Sequence, residues 1–228
     1  MQTEVLIGSM TIWETIGKLI QFIFLLRDKY LPDQIIGDFD SIRPEVFKYY
    51  KDKNVKQLQR LDTDTTDLEK CLYVSLEKIS TLDTDCEDLK KKYSIIFFGA
   101  SGGRIDHTFS VFSQVFKYIL MFPDVREKAE LIMLSKSSCS VYLRPGFNKI
   151  ITSNFFENKE QGYSIIPING EASIEIIEEG CEDFCAKKEV KFGECLFFRK
   201  KNKANIIYVT VNCEINTALL YSFTTSFS

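Results

Sequence analysis

The chain is expected to be an α/β protein: an N-terminal three-layer α/β domain on a mostly parallel sheet, then a C-terminal antiparallel β-sandwich. Three observations predict this. Over residues 1–136, short apolar runs alternate with polar loops and helical periodicity. Over residues 137–228, β-like runs are separated by turn residues and helical periodicity is weak. Of 228 residues, 45% are hydrophobic and 19 are Phe, enough for packed cores. The expected domains are therefore 1–136 and 137–228.

Thr11 to Leu26 is the most apolar stretch. Ile12, Trp13, Ile16, Leu19, Ile20, Phe22, Ile23 and Leu26 recur largely at helical spacing. Glu14, Lys18 and Gln21 interrupt it, short of the roughly 20 apolar residues a membrane span needs. An amphipathic or buried helix is expected, and neither a membrane partner nor a secretory leader. Gln34–Gly37 reads as a strand entering the loop Gly37-Asp38-Phe39-Asp40-Ser41-Ile42-Arg43-Pro44. Pro44 suits an early helical position with Ser41 as N-cap, and the helix runs through Val46, Phe47 and Tyr50. Val55–Leu61 is a second short strand, followed by Asp62-Thr63-Asp64-Thr65-Thr66-Asp67. A helix follows, with Leu68, Cys71, Leu72, Val74, Leu76 and Ile79 on its apolar face.

Tyr93–Phe98 is apolar and β-rich, which predicts a buried parallel strand. It leads into Gly99 to His107, and a helix is expected from about Thr108 to Met121, then a strand at Leu131–Leu134. The later strands are read at Ser140–Leu143, Asn148–Ile151, Tyr163–Pro167, Ala172–Ile177, Glu194–Phe198, Asn205–Val211 and Leu219–Phe223. Pro145-Gly146, Asn169-Gly170, Glu179-Gly180 and Phe192-Gly193 mark turns between them.

The net charge of −3 leaves no basic excess for nucleic-acid phosphates. Seven unevenly spaced Cys, an odd number, suggest reduced thiols and a cytoplasmic setting. Cys181 and Cys185 form a lone CxxxC, and the single His107 belongs to another motif, so a four-ligand zinc site is not expected.

Chemistry is carried by three loops, each after an expected strand. Ligands of parallel sheets bind where such loops leave the carboxyl ends. Asp38 and Asp40 suit either a solvated capping turn or a cation site, since adjacent carboxylates repel unless a cation lies between them. Mg²⁺ takes hard oxygen ligands of this kind while bridging to phosphate. In the second loop Thr66 or Asp67 suits a helix cap, and the same helix end suits phosphate. In the third, Gly99, Gly102 and Gly103 allow close backbone approach, and Arg104 adds a forked cation next to Asp106. The glycines lack a following Lys-Ser/Thr, so this is no P-loop.

At Gly37 to Glu45, at Asp62 to Asp67 with Lys70-Cys71-Leu72, and at Gly102 to His107, the chain resembles the eukaryotic thiamine pyrophosphokinases. Tyr142 to Gly146 and Leu219-Leu220 also fit, and the likeness runs from about Leu31 to the C-terminus. The resemblance implies transfer of pyrophosphate from ATP to the hydroxyl of thiamine, giving thiamine diphosphate and AMP. It implies a homodimer. It implies that Asp38, Asp40 and Asp67 hold Mg²⁺, and that Asp38, Asp40, Asp67, Arg104 and Asp106 form the catalytic set. By the same implication Gly37, Asp38, Ser41, Thr66, Gly102, Gly103 and Arg104 contact ATP, and Asp106, Phe197 and Phe198 contact thiamine. His107 is expected to hydrogen-bond rather than to act as an acid or base.

Two departures stand out. The family's opening strand and Asp-Gly-Gly-Ala-Asn loop have no match before Leu31, where only Val5-Leu6-Ile7-Gly8 precedes the apolar stretch, so the N-terminus reads as atypical or truncated. The family's late Ser, Thr and Asn are replaced by Phe197-Phe198-Arg199-Lys200-Lys201-Asn202, whose three adjacent cations oppose a cationic acceptor. A non-catalytic relative that binds nucleotide or thiamine diphosphate is the alternative reading.

Overall fold

The computed structural model describes residues 6–8, 31–62, 64–82, 93–99, 104–122, 129–135, 138–151, 161–180, 185–194, 196–202, 204, 206–214 and 217–224. The apolar stretch Thr11–Leu26, Gly102, Gly103 and Cys181 lie outside them. The chain divides into two compact units. One comprises Met1–Tyr93, Gly102–Gln114 and Met121–Lys128; the other comprises Ser94–Ser101, Val115–Leu120 and Ala129–Ser228.

In the first unit, β1 (Leu6–Gly8), β2 (Gln34–Gly37) and β3 (Lys56–Gln59) form a parallel sheet in that order. The opening strand missing from the sequence reading is therefore present: Leu6 to Gly8 pair with Gln34 to Ile36. A three-residue run is too short for periodicity to reveal; pairing along β2 makes it a strand. Parallel neighbours need a crossover, and α1 (Pro44–Asp52) supplies it between β2 and β3. Its N-cap is Arg43, not Ser41, because Pro44 takes the first helical position with its fixed φ and no N–H to satisfy. α2 (Asp67–Leu82) packs against β1 and β2, burying Cys71, Leu72, Leu76 and Ile79 at helical spacing. Leu68 and Val74 are only half-buried. Helix α3 runs from Ile105 to Met121, three residues earlier than expected.

The second unit holds β5 (Ala129–Leu134), β6 (Ser138–Leu143), β7 (Gly146–Ile151), β8 (Gln161–Asn169), β9 (Glu171–Glu178), β10 (Cys185–Lys191), β11 (Phe197–Asn202), β12 (Ile206–Cys213) and β13 (Ala218–Thr224). β10-β9-β12-β7 form one antiparallel sheet. β11-β8-β13-β6-β5 and an edge strand, β4 (Tyr93–Phe98), form the other. Alternate residues of both sheets meet in one core: Ile174 and Ile176 of β9, Ile207 and Val209 of β12, Ile165 of β8 and Leu219 of β13 among them. The sandwich expectation holds. Two strand readings are corrected: β10 was missed, since its exposed Lys187, Lys188 and Glu189 hide the pattern, and β11 starts at Phe197 because Phe192 to Glu194 form a turn.

The mostly parallel N-terminal sheet is corrected too. Parallel pairing joins β1, β2 and β3, while β4 and β5, both before residue 136, hydrogen-bond into the six-stranded sheet. Along β4, Phe97 is buried but Ile96 is 55% exposed, so the strand is not covered on both faces. An unbroken apolar run does not tell these two cases apart.

Gly170 links β8 to β9 at φ +68°, and a Cβ there would lie 2.9 Å from Thr217 Oγ1. Gly180 has φ +78° with open space around it. Gly170→Ala is expected to cost more than Gly180→Ala, which should lose only the ~1–2 kcal/mol of a left-handed alanine. Urea unfolding of both variants checks this; equal losses would mean the Thr217 contact relaxes freely.

Candidate active site

Because β2 and β3 are parallel and in register from Gln34↔Lys56 to Gly37↔Gln59, their loops leave the sheet at one edge. The Arg60 N–H donates to the Gly37 carbonyl at 2.8 Å, and Gln59 Nε2 donates to the Asp38 carbonyl at 3.0 Å. These bonds fix the start of the Asp38 loop. Phe39 then takes φ +67°, uncommon for a residue with a Cβ and costing about 1–3 kcal/mol. Its ring is held edge-on to Phe47 at 5.3 Å, and the Asp40 N–H donates to Asp38 Oδ1 at 3.1 Å. The loop is thus bent tightly around the Asp38 carboxylate.

Asp38 and Asp67 meet there. The Asp38 N–H donates to Asp67 Oδ1 at 3.3 Å. Lys70 Nζ donates to Asp67 Oδ1 at 3.3 Å and to Asp38 Oδ2 at 3.4 Å. The Lys70 side chain is 4% exposed, against 11% for Asp67 and 28% for Asp38. The Asp40 N–H bond, followed by the Lys70 charge, holds the Asp38 carboxyl below its usual range against the opposing effect of burial. Burial opposes the Lys70 charge, but the bonds to Asp67 and Asp38 outweigh it and push that ammonium up. Both partners stay ionised around neutral pH, so the pair persists there. Asp40 is exposed and joins the cluster through its backbone N–H.

Thr66 is the N-cap of α2: its hydroxyl accepts from the Glu69 N–H at 3.2 Å and donates to Gln114 Oε1 at 2.9 Å. That hydroxyl is already engaged within the fold. Asp62 closes the preceding turn, accepting from the Asp64 N–H and the Thr65 hydroxyl at 2.9 and 2.6 Å. Arg104 and Asp106 form a two-point ion pair at the start of α3, with Nε donating to Oδ1 at 3.1 Å and Nη2 to Oδ2. The Arg104 bonds keep the Asp106 carboxyl below its usual range, and it is a hydrogen-bond acceptor more than a strong base. Both side chains are more than half exposed. Burial pushes the Cys71 thiol up to about 12, so it is inert beneath the site.

Among the described residues no three His, Cys, Asp or Glu gather as a ready-made metal cage. Asp38 and Asp67 nonetheless fit Mg²⁺, which is usually held by one or two carboxylates together with substrate phosphates and waters.

Of the two aromatic candidates, Phe197 is buried against Tyr163, with ring centroids 5.9 Å apart, and belongs to the sandwich core. Phe198 is 65% exposed. The reading of Arg199 as an opposing cation is corrected as well. Its guanidinium donates to Glu178 Oε1 at 3.1 Å and to Oε2 at 3.4 Å, and the Tyr163 hydroxyl donates to the same carboxylate at 3.0 Å. Glu178 is fully buried and neutralises it. Gln59, Gln114 and Glu178 were not singled out from sequence, and Lys70 figured only in the family likeness, with no role in the site. Only Lys70 carried a signal, three residues after Asp67 on the same helical face.

Residues 20–126 match the family model described as thiamin pyrophosphokinase, catalytic domain. Thiamine pyrophosphokinase 2 of Arabidopsis thaliana is 30% identical over 193 residues, covering 84% of this chain and 66% of that protein. Thiamine pyrophosphokinase 1 of the same plant is 33% identical over 172 residues, covering 74% and 57%. The chain belongs to the thiamin pyrophosphokinase family. The structure of the family member from Candida albicans is similar in fold, with a TM-score of 0.71 over 92% of this chain and 79% of that one, at 17% identity. The chain spans 66% and 57% of the two plant family members it matches.

Proposed function

We propose that the chain is a Mg²⁺-dependent thiamine pyrophosphokinase, moving pyrophosphate from ATP to the thiamine hydroxyl. The carrying observation is the convergence of Asp38 and Asp67 on one buried cation at the carboxyl edge of a parallel sheet. The hydroxyl oxygen bonds to the β-phosphorus, the bridging bond to the α-phosphate breaks, and AMP leaves. Such transfers need positioning and charge neutralisation rather than a covalent intermediate. Mg²⁺, when bound, supplies neutralisation at the phosphate oxygens. Asp38 and Asp67, with Asp40 beside them, hold it.

We assign Gly37, Ser41 and Thr66 to the nucleotide, together with Gly102 and Gly103 on sequence grounds alone. Arg104 binds phosphate, exchanging its Asp106 partner, and Asp106 then accepts the thiamine hydroxyl proton. Phe198 offers an exposed ring to the thiamine heterocycle. We place the active protein in the cytoplasm as a homodimer. Among the described residues Cys71, Cys139 and Cys185 are free thiols, which supports a reducing compartment. No helix among the described residues is long and apolar enough to cross a membrane.

Formation of AMP and thiamine diphosphate from ATP, Mg²⁺ and thiamine by the folded protein tests this. Nucleotide binding without product would instead make it a non-catalytic family member. Arg104→Lys is expected to raise KM for ATP about tenfold, since lysine lacks the fork that meets two phosphate oxygens. Unchanged ATP kinetics would remove Arg104 from the phosphate site.

A further inference from the structure

Lys70 has no part in the transfer proposed above, yet it is the most buried charge in the site. Its ammonium sits where the two carboxylates converge, and Asp67, one turn earlier on α2, keeps it there. The two aspartates carry two negative charges, and Lys70 cancels one. A bare divalent cation entering this site meets a fixed positive charge a few ångströms away. A divalent cation arriving on a polyphosphate brings anionic oxygens that Lys70 attracts.

We propose that Lys70 makes metal capture conditional on nucleotide: as a positioning residue it holds Asp38 and Asp67 together, disfavours the bare ion and favours the metal–nucleotide complex. The inference rests on the Mg²⁺–nucleotide reading of this site.

Mn²⁺ binding to the full chain, followed by electron paramagnetic resonance with and without α,β-methylene-ATP, tests it. Without nucleotide, Lys70→Met is expected to bind Mn²⁺ at least about tenfold more tightly than the original chain, because a neighbouring like charge is gone. The analogue should then strengthen Mn²⁺ binding less than it does in the original chain. Lys70→Arg, which keeps the charge, should stay within about threefold of the original. A merely structural lysine would lower thermal stability in Lys70→Met without tightening Mn²⁺. Lys70→Gln serves the same comparison if the Met variant does not fold. Unchanged or weaker nucleotide-free Mn²⁺ binding in a folded, neutral variant overturns the proposal, and leaves the site reading intact if the original chain binds Mn²⁺ with the analogue. Absence of Mn²⁺ binding by the original chain, even with the analogue, overturns both.

Discussion

Asp67→Asn is expected to lower turnover by at least ~100-fold while leaving the fold intact. The amide keeps the size and one acceptor oxygen, so the bond from the Asp38 N–H survives. What is lost is a full negative charge at a position only 11% exposed, where water screens poorly. Electrostatic stabilisation of this kind is usually a large part of catalysis. Lys70 would keep Asp38 as its charged partner, so a stability loss of about 1–3 kcal/mol is expected alongside. AMP release at saturating Mg²⁺, with circular dichroism as the fold control, gives the answer. Near-normal turnover would take Asp67 out of the metal site. Asp40→Asn in the same assay asks whether the exposed third carboxylate joins the ion: a comparable fall places it there, and near-normal turnover leaves Asp38 and Asp67 alone.

Arg199→Met is expected to destabilise the sandwich by about 3 kcal/mol, near the range seen when one partner of a buried ion pair is removed. Methionine retains the apolar stem, so packing changes little. The Glu178 carboxylate, with no exposed side-chain surface, would keep the Tyr163 hydroxyl as a donor but lose the guanidinium charge. For a chain of this length the loss corresponds to a drop of roughly 6–12 °C in melting temperature. Arg199→Lys should recover part of it, because a single ammonium replaces charge but not the two-point contact. A melting curve for Arg199→Met matching the original would show that Glu178 finds another partner, and the pair would then contribute little to stability.

Much of the site was legible in the sequence because its chemistry lies in contiguous loops. Asp38 and Asp40 share one turn, Asp62 to Asp67 another, and Arg104 and Asp106 a third; carboxylates packed so densely after apolar runs stand out without any structure. The strand-to-helix alternation fixed the direction of β2 and β3, and hence the edge where two of these loops emerge. The Arg43 cap of α1 was within reach as well, since Pro44 at the first helical position points to the residue before it. Gln114 was not legible: it lies 48 residues from Thr66, and nothing local marks it as that hydroxyl's acceptor.

The sequence by itself determined the residue types of the site, the turn positions and the family. Those depend on local chemistry: carboxylates that need a cation, glycines that accept positive φ, apolar runs that need covering. Only the tertiary structure decided which strands pair. The same apolar run at Tyr93–Phe98 satisfies a parallel α/β sheet or the edge of a sandwich sheet, and long-range hydrogen bonding chose the second. It also decided the charge balance. Lys70 enters the sequence reading only as part of the family likeness, without a role, and Arg199 as one of three clustered cations. Burial gives each a carboxylate partner, because an unpaired charge cannot be left away from water.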